Sequence, residues 1–205
     1  MLSNNTRRRH RHVTWGVSDT HAPRPGRPKA SSRETLAEAA CELFLEQGFA
    51  ATSVMDITRR AGVSRSSFFN YFGSKSDILW AGFDERVDAA VQALAEGAGV
   101  PEALSEIVDG LAPDALALAI VHAEAMGIDD ELVRETSMRA ARIADAVARR
   151  LERDGIEPLQ AEVCGGAYSA AVLAAVRAWA HQGAGRAPLQ PLLERALGMA
   201  ALALP

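Results

Sequence analysis

The stretch Thr52–Lys75, TSVMDITRRAGVSRSSFFNYFGSK, restricts the possible fold more than any other part of this 205-residue chain. Ser53 can cap a first helix, with Asp56 three residues on as the reciprocal acid of a capping box. Val54, Ile57 and Ala61 then share one face at helical spacing. Gly62 stops that helix, because glycine takes a positive φ without the clash a Cβ would cause. Ser64 caps a second helix whose inner face holds Phe68 and Phe72, four apart. Two short helices around Ala-Gly-Val-Ser are the sequence form of a helix-turn-helix. In such a unit the start of the second helix meets base edges in the major groove. Ser64 and Arg65 hold that position, and Ser66, Ser67, Phe69, Asn70 and Tyr71 take the remaining outward positions. The tetrapeptide alone would equally suit an ordinary αα-hairpin with a serine-rich exposed face.

Alanine and leucine dominate the chain, and no alternating pattern of strand length occurs, so the expected class is all-α with about nine helices. Residues 1–80 hold 12 Lys or Arg and 7 Asp or Glu, so 12 − 7 = +5; residues 81–205 hold 10 and 19, so 10 − 19 = −9, and the two sum to the net −4. A basic first third on an acidic remainder puts polyanion binding at the N-terminus. Residues 1–31 lack hydrophobic periodicity and read as a disordered basic arm, with Arg24, Arg27 and Lys29 entering or bordering a minor groove. A solvated tail is the bland alternative for that arm. It does not account for the capped helices behind it.

Cys41 and Cys164 both fall on apolar helix faces and read as buried, reduced thiols. No metal-ligand spacing and no cofactor loop is present in the sequence, so no cofactor and no metal are expected. The absence of an uncharged run of 18 apolar residues or of a signal-type apolar core leads to the expectation of a cytoplasmic protein with no membrane partner.

The flanks extend the helix-turn-helix signal. Leu43-Phe44 and Gln47-Gly48-Phe49 precede it; Tyr71-Phe72-Gly73-Ser74-Lys75 and Asp77-Ile78-Leu79 follow. Over about fifty residues this pattern resembles the DNA-binding domain of TetR-family transcriptional regulators. The resemblance implies three domains or segments: 1–31 as the arm, 32–78 as a three-helix DNA-binding domain, and 79–205 as a larger helical domain for effector binding and dimerisation. It also implies phosphate contacts from the start of the second helix at Thr52 and Ser53, from Tyr71, and from Lys75 at the next helix start, with Arg33 touching phosphate from the first helix. Phe69 departs from the family, in which tyrosine is common there. The run Phe68-Phe69, Tyr71-Phe72, Ser74-Lys75, Asp77, Trp80 and Phe83-Asp84 resembles more narrowly a subset that includes regulators of mycofactocin gene clusters and others with an acyl-CoA-like ligand-binding domain.

Beyond Gly97 the breaks at Pro113, Gly127, Gly155, Pro158 and Gly183 mark helices at roughly 101–111, 113–126, 129–153, 158–182 and 189–204. Polar, sulfur-bearing or aromatic residues on otherwise apolar stretches there are candidate ligand contacts: His122, Met126, Met138, Arg142, Tyr168 and Trp179. For each one alone, a satisfied core residue or a solvated face is the competing reading. Arg139 or Arg142 could meet an acidic head group. The helix near 158–182 is small-sided, with Gly166, Ala170 and Ala174, and the last helix carries a leucine stripe that includes Leu193 and Leu197. The resemblance implies that these two helices pair with their copies in a homodimer that reads a pseudo-palindromic operator. It further implies repression, relieved when a small apolar effector such as an acyl-CoA or fatty-acid derivative binds. Two other classes compete: a protein-binding adaptor that keeps the fold, and a helical enzyme, for which no catalytic constellation is legible.

Overall fold

The computed structural model describes residues 32–202, so Arg24, Arg27, Lys29 and Leu204 lie outside the described residues. Among the described residues there are ten helices and no strand. They are α1 (Ser32–Gln47), α2 (Val54–Ala61), α3 (Arg65–Phe69), α4 (Asp77–Glu96), α5 (Val100–Val108), α6 (Ala115–Val121), α7 (Ala123–Met126), α8 (Asp129–Arg153), α9 (Pro158–His181) and α10 (Gln190–Leu202). The all-α expectation holds.

The apolar stripe of α1 (Leu36, Ala39, Ala40, Leu43 and Phe44) is buried against Ile57 of α2 and against Phe68 and Phe72. Helix α3 is only five residues long, yet Phe72 stays inside because its amide still bonds the Phe68 carbonyl at 3.0 Å. Helix α4 carries Trp80 and Phe83 into the core, where their rings meet edge to face with centroids 5.9 Å apart. That core is one continuous cluster running from α1 to Leu193 of α10. Cys41 sits within it, and burial pushes its thiol up to about 11.

The stretch expected as a single helix over 113–126 is two. The chain turns at His122, so that Met126 reaches the interior and Gly127 can close α7 in the left-handed conformation at φ 64°. Helices α8 and α9 form the most extensive pair in the molecule. They pack tightly at Gly165, where an added Cβ would fall on the carbonyl oxygen of Ala144. By length and composition α9 is apolar enough to cross a membrane. Here it is a core helix packed on α6, α8 and α10.

Candidate nucleic-acid interface and apolar cavity

Local side-chain chemistry builds the head. Ser53 Oγ accepts from the Asp56 amide at 3.2 Å, and the Asp56 carboxylate accepts from the Ser53 amide at 3.1 Å, which completes the capping box. Hydrogen bonds from the Ser53 hydroxyl and amide hold the Asp56 carboxyl below its ordinary range. Gly62 closes α2 at φ 68°. Ser64 then caps α3 by accepting from the Ser67 amide at 3.1 Å, and its hydroxyl also lies 2.8 Å from those of Ser66 and Ser67. Arg65, Ser66, Phe69, Asn70 and Tyr71 are exposed on the outer side of this unit, and Ser67 is half-buried. The Arg65 guanidinium lies over the Phe69 ring at 5.5 Å.

The remaining head cations face other partners. Arg33 meets Glu85 at 2.6 Å, Arg59 meets Asp56 at 3.1 Å, and Arg60 bridges Glu42 and Glu46 at 3.1 and 2.7 Å. Lys75, expected on phosphate, turns inward instead. Its Nζ donates to the carbonyls of Phe49 (2.5 Å) and Thr52 (3.0 Å) and lies 4.1 Å from the centre of the Phe49 ring. Partial burial holds its ammonium below the ordinary value, with Glu131 opposing. Thr52 is also a correction: it is buried, and its hydroxyl donates to the Gly48 carbonyl at 2.8 Å and accepts from Gln47 at 3.2 Å. Both residues shape the turn before α2 because that turn leaves carbonyls inside the fold that need donors. Among the described head residues, Arg65 is the cation with neither a carboxylate nor a carbonyl partner.

The start of α4 already holds an anion. The Asp77 carboxylate accepts from the amides of Gly73 (2.9 Å) and Ser74 (3.1 Å) and from the Ser74 hydroxyl (2.6 Å). Ser74 and Asp77 thus bond each other just ahead of α4, and the carboxylate fills the position a phosphate would take. Two further contacts tie the head to the rest: the Phe49 amide donates to the Met126 carbonyl at 2.8 Å, and Ser76 hydrogen-bonds Glu131 at the start of α8.

The capped three-helix head and the helical body behind it are matched by two family models. One, for bacterial regulatory proteins of the tetR family, matches residues 36–81; the other, for the MftR C-terminal domain, matches residues 130–205. The chain belongs to the TetR family. Among relatives, the regulator MftR of Mycobacterium tuberculosis is 40% identical over 63 residues, 31% of this chain and 32% of that protein. The regulator EthR of the same species is 40% identical over 91 residues, 41% of this chain and 42% of its own length. The matched stretches thus span only 32% and 42% of these two relatives. The solved structure of NalD from Pseudomonas aeruginosa has the same fold, with a TM-score of 0.55 at 17% identity over 84% of this chain and 96% of that one.

Behind the TetR head, α4, α6, α8 and α9 enclose a cavity of about 320 Å³. Trp80, Phe83, Leu116 and Leu173 wall its buried side; Asp129, Val133, Arg177 and His181 are exposed and form its rim. The indole Nε1–H of Trp80 is buried without an acceptor among the described residues. The Trp80 ring carries the Arg139 guanidinium at 4.1 Å. Arg139 in turn makes paired bonds of 2.7 and 2.6 Å to Asp84 and one of 2.6 Å to Glu135. Burial opposes its charge, but the two carboxylates outweigh burial and raise its pKa. Its hydrogen-bonding capacity is spent on the α4–α8 joint, which corrects its assignment to a ligand head group.

None of the six sequence candidates for ligand contact lines this cavity. Met126 is fully buried in the core, and Trp179 is buried with its indole N–H on the Ala187 carbonyl at 3.0 Å. Arg142 pairs with Asp88 on the surface, Met138 is 62% exposed, and Tyr168 packs half-buried on the core. His122 is exposed on a more open cleft shared by α6 and the end of α9. The true lining was hidden because its residues are ordinary Leu, Val, Thr and Ser whose convergence depends on how four helices cross. Trp80 and Phe83 were legible only as core. His181 stood alone in the sequence, and only i, i+4 spacing to Arg177 linked the two.

Gly166, Ala170 and Ala174 lie one turn apart on an exposed face of α9, and an added Cβ at Gly166 meets nothing within 4 Å. Leu193 is a correction: it is fully buried within its own chain, and Leu197 is half-buried against the same core. Leu159 and Val163 of α9 and Met199 and Leu202 of α10 are the exposed large apolar residues of these two helices.

Proposed function

We propose that this TetR-family chain is an operator-binding homodimeric repressor, released from DNA by a small apolar effector held in the α4–α6–α8–α9 cavity. The observation that carries the reading is the bare outer side of α3, where Arg65, Ser66, Asn70 and Tyr71 stay exposed while the other head cations are neutralised or capped internally. In a major groove, Arg65 and Ser66 would meet base edges and Asn70 and Tyr71 would flank them. The amides at the start of α2 and the segment with Arg24, Arg27 and Lys29 would supply phosphate and minor-groove contacts.

Dimerisation would use Val163, Gly166, Ala170 and Ala174 of α9 with Met199 and Leu202 of α10, an exposed small and apolar face beside the terminal helix. Two heads would then meet half-sites about 34–36 Å apart, one turn of DNA. Release would follow because the cavity walls and the head share α4, and because Phe49 and Ser76 bond directly to Met126 and Glu131 next to the cavity. A ligand that shifts those walls biases the spacing of the heads. The MftR of Mycobacterium tuberculosis is named for the regulation of mycofactocin biosynthesis, and a related role is the reading we take for this chain.

Footprinting of the purified protein on DNA flanking its own gene is the test. A protected pseudo-palindrome is the expected result. Absence of protection at low salt, where counterion release favours any DNA contact, would refute the operator reading.

A further inference from the structure

The arginines of α4, α8 and α9 are almost all committed. Arg86 donates to the carbonyls of Asp109 and Gly110, Arg150 to those of Gly97 and Ala98, and Arg153 to that of Leu94. Arg134, Arg139, Arg142 and Arg149 each meet a carboxylate. Arg177 is the exception, with no partner among the described residues. It stands one helical turn from His181 on α9, exposed, and both line the rim of the apolar cavity.

We propose that the cavity binds a compact single-chain monocarboxylic acid, with the carboxylate at Arg177 beside His181 and the tail against Trp80, Phe83, Leu116 and Leu173. This rests on reading the cavity as the effector site, and it narrows the ligand class. Size sets the first limit. A cavity of about 320 Å³ is at the low end of small-molecule sites, which suits a single unbranched chain of medium length.

Polarity fixes the orientation. A carboxylate on the buried side would lose its hydration for neutral donors, the Trp80 N–H and the Thr136 hydroxyl, because Arg139 is already committed to Asp84 and Glu135. At the rim the carboxylate stays hydrated and meets a guanidinium in fork geometry. Asp129 is the carboxylate that shares the rim, so one negative charge on the ligand is favoured over two.

Calorimetric titration of the full chain with octanoate, methyl octanoate and octanoyl-coenzyme A tests the inference, using wild type, Arg177→Gln and Arg177→Lys. Octanoate should bind wild type and weaken about twofold to fivefold in Arg177→Gln, as for one exposed ion pair, with partial recovery in Arg177→Lys. Methyl octanoate should bind both proteins alike. Equal weakening of acid and ester, tighter binding of the thioester than of the free acid, or no octanoate binding to wild type would each overturn it. A chain that footprints its operator but ignores octanoate loses this inference and keeps the regulator reading. One that binds octanoate through Arg177 without a footprint does the reverse.

Discussion

In the head, all but one of the groups that fix the backbone are sequence neighbours: Ser53 with Asp56, Gly62 with Thr58 and Arg59, Ser64 with Ser67, Ser74 with Asp77, and only Lys75 reaches back to Phe49 and Thr52. In the cavity-bearing body the corresponding partners are about fifty residues apart. Asp84 meets Arg139, Ala98 meets Arg150, and Leu94 meets Arg153. The difference shows where specificity of shape resides. Short capped helices can place a reading face with little help from elsewhere, whereas a cavity between four helices exists only when distant helices lock in register.

The contrast can be broken most strongly at Arg139. Arg139→Met leaves Asp84 and Glu135 facing each other in a nearly buried site, and the expected cost is about 3 kcal/mol in urea unfolding. The loss should appear first in the body, with the head's helices still native by amide exchange.

The Gly165 and Gly166 pair comes next. Gly165→Ala drives a Cβ onto the Ala144 carbonyl and should destabilise by about 1–3 kcal/mol, as overpacking does. Gly166→Ala meets nothing within its own chain and should stabilise α9 by roughly 0.5–1 kcal/mol by removing glycine's backbone freedom. Ala170→Glu, on the same exposed face, sharpens the dimer reading: sedimentation should show monomers without loss of helicity.

A smaller and purely local effect is expected for Ser53→Ala, about 1 kcal/mol from loss of the α2 cap. Its pH dependence has a definite sign. The Asp56 carboxyl lies below its ordinary value when folded, so its contribution is present above about pH 4 and is lost as pH falls through the lower folded pKa. The wild-type advantage should therefore shrink in acid and stay level from pH 5 to 8.

Salt dependence gives the finest discrimination. Arg65→Gln should reduce the slope of log K against log salt by about 0.9 if Arg65 meets a phosphate, and should change sequence preference if it meets a base. Lys75→Met should leave that slope nearly unchanged, because its ammonium is spent on the Phe49 and Thr52 carbonyls; its effect should be on head stability.

Much of the head was legible in the sequence because capping acts over three or four residues. The bounds of α1, the Ser53–Asp56 box, the Gly62 stop and the inward Phe68 and Phe72 all follow from local rules. Thr52 and Lys75 were misplaced since nothing local indicates that the turn at Phe49–Thr52 leaves carbonyls needing a donor twenty-odd residues away. The break at His122 was missed for a similar reason: the apolar run over 115–126 reads as one helix, and only the pull of Met126 inward and its carbonyl toward Phe49 divides it.

The sequence by itself determined the helix-turn-helix, the helix edges set by glycine, proline and caps, and the separation of a basic first third from an acidic remainder. Each is encoded by residues within one or two turns, or by composition. The tertiary structure alone decided that Leu193 belongs inside its own chain, that Arg139 joins α4 to α8, and that Arg177 and His181 share a rim with Asp129 above Trp80. Those relations arise from how α8 packs on α9 at Gly165 and how both cross α4, and helix crossings are set by summed side-chain packing that no single local pattern carries.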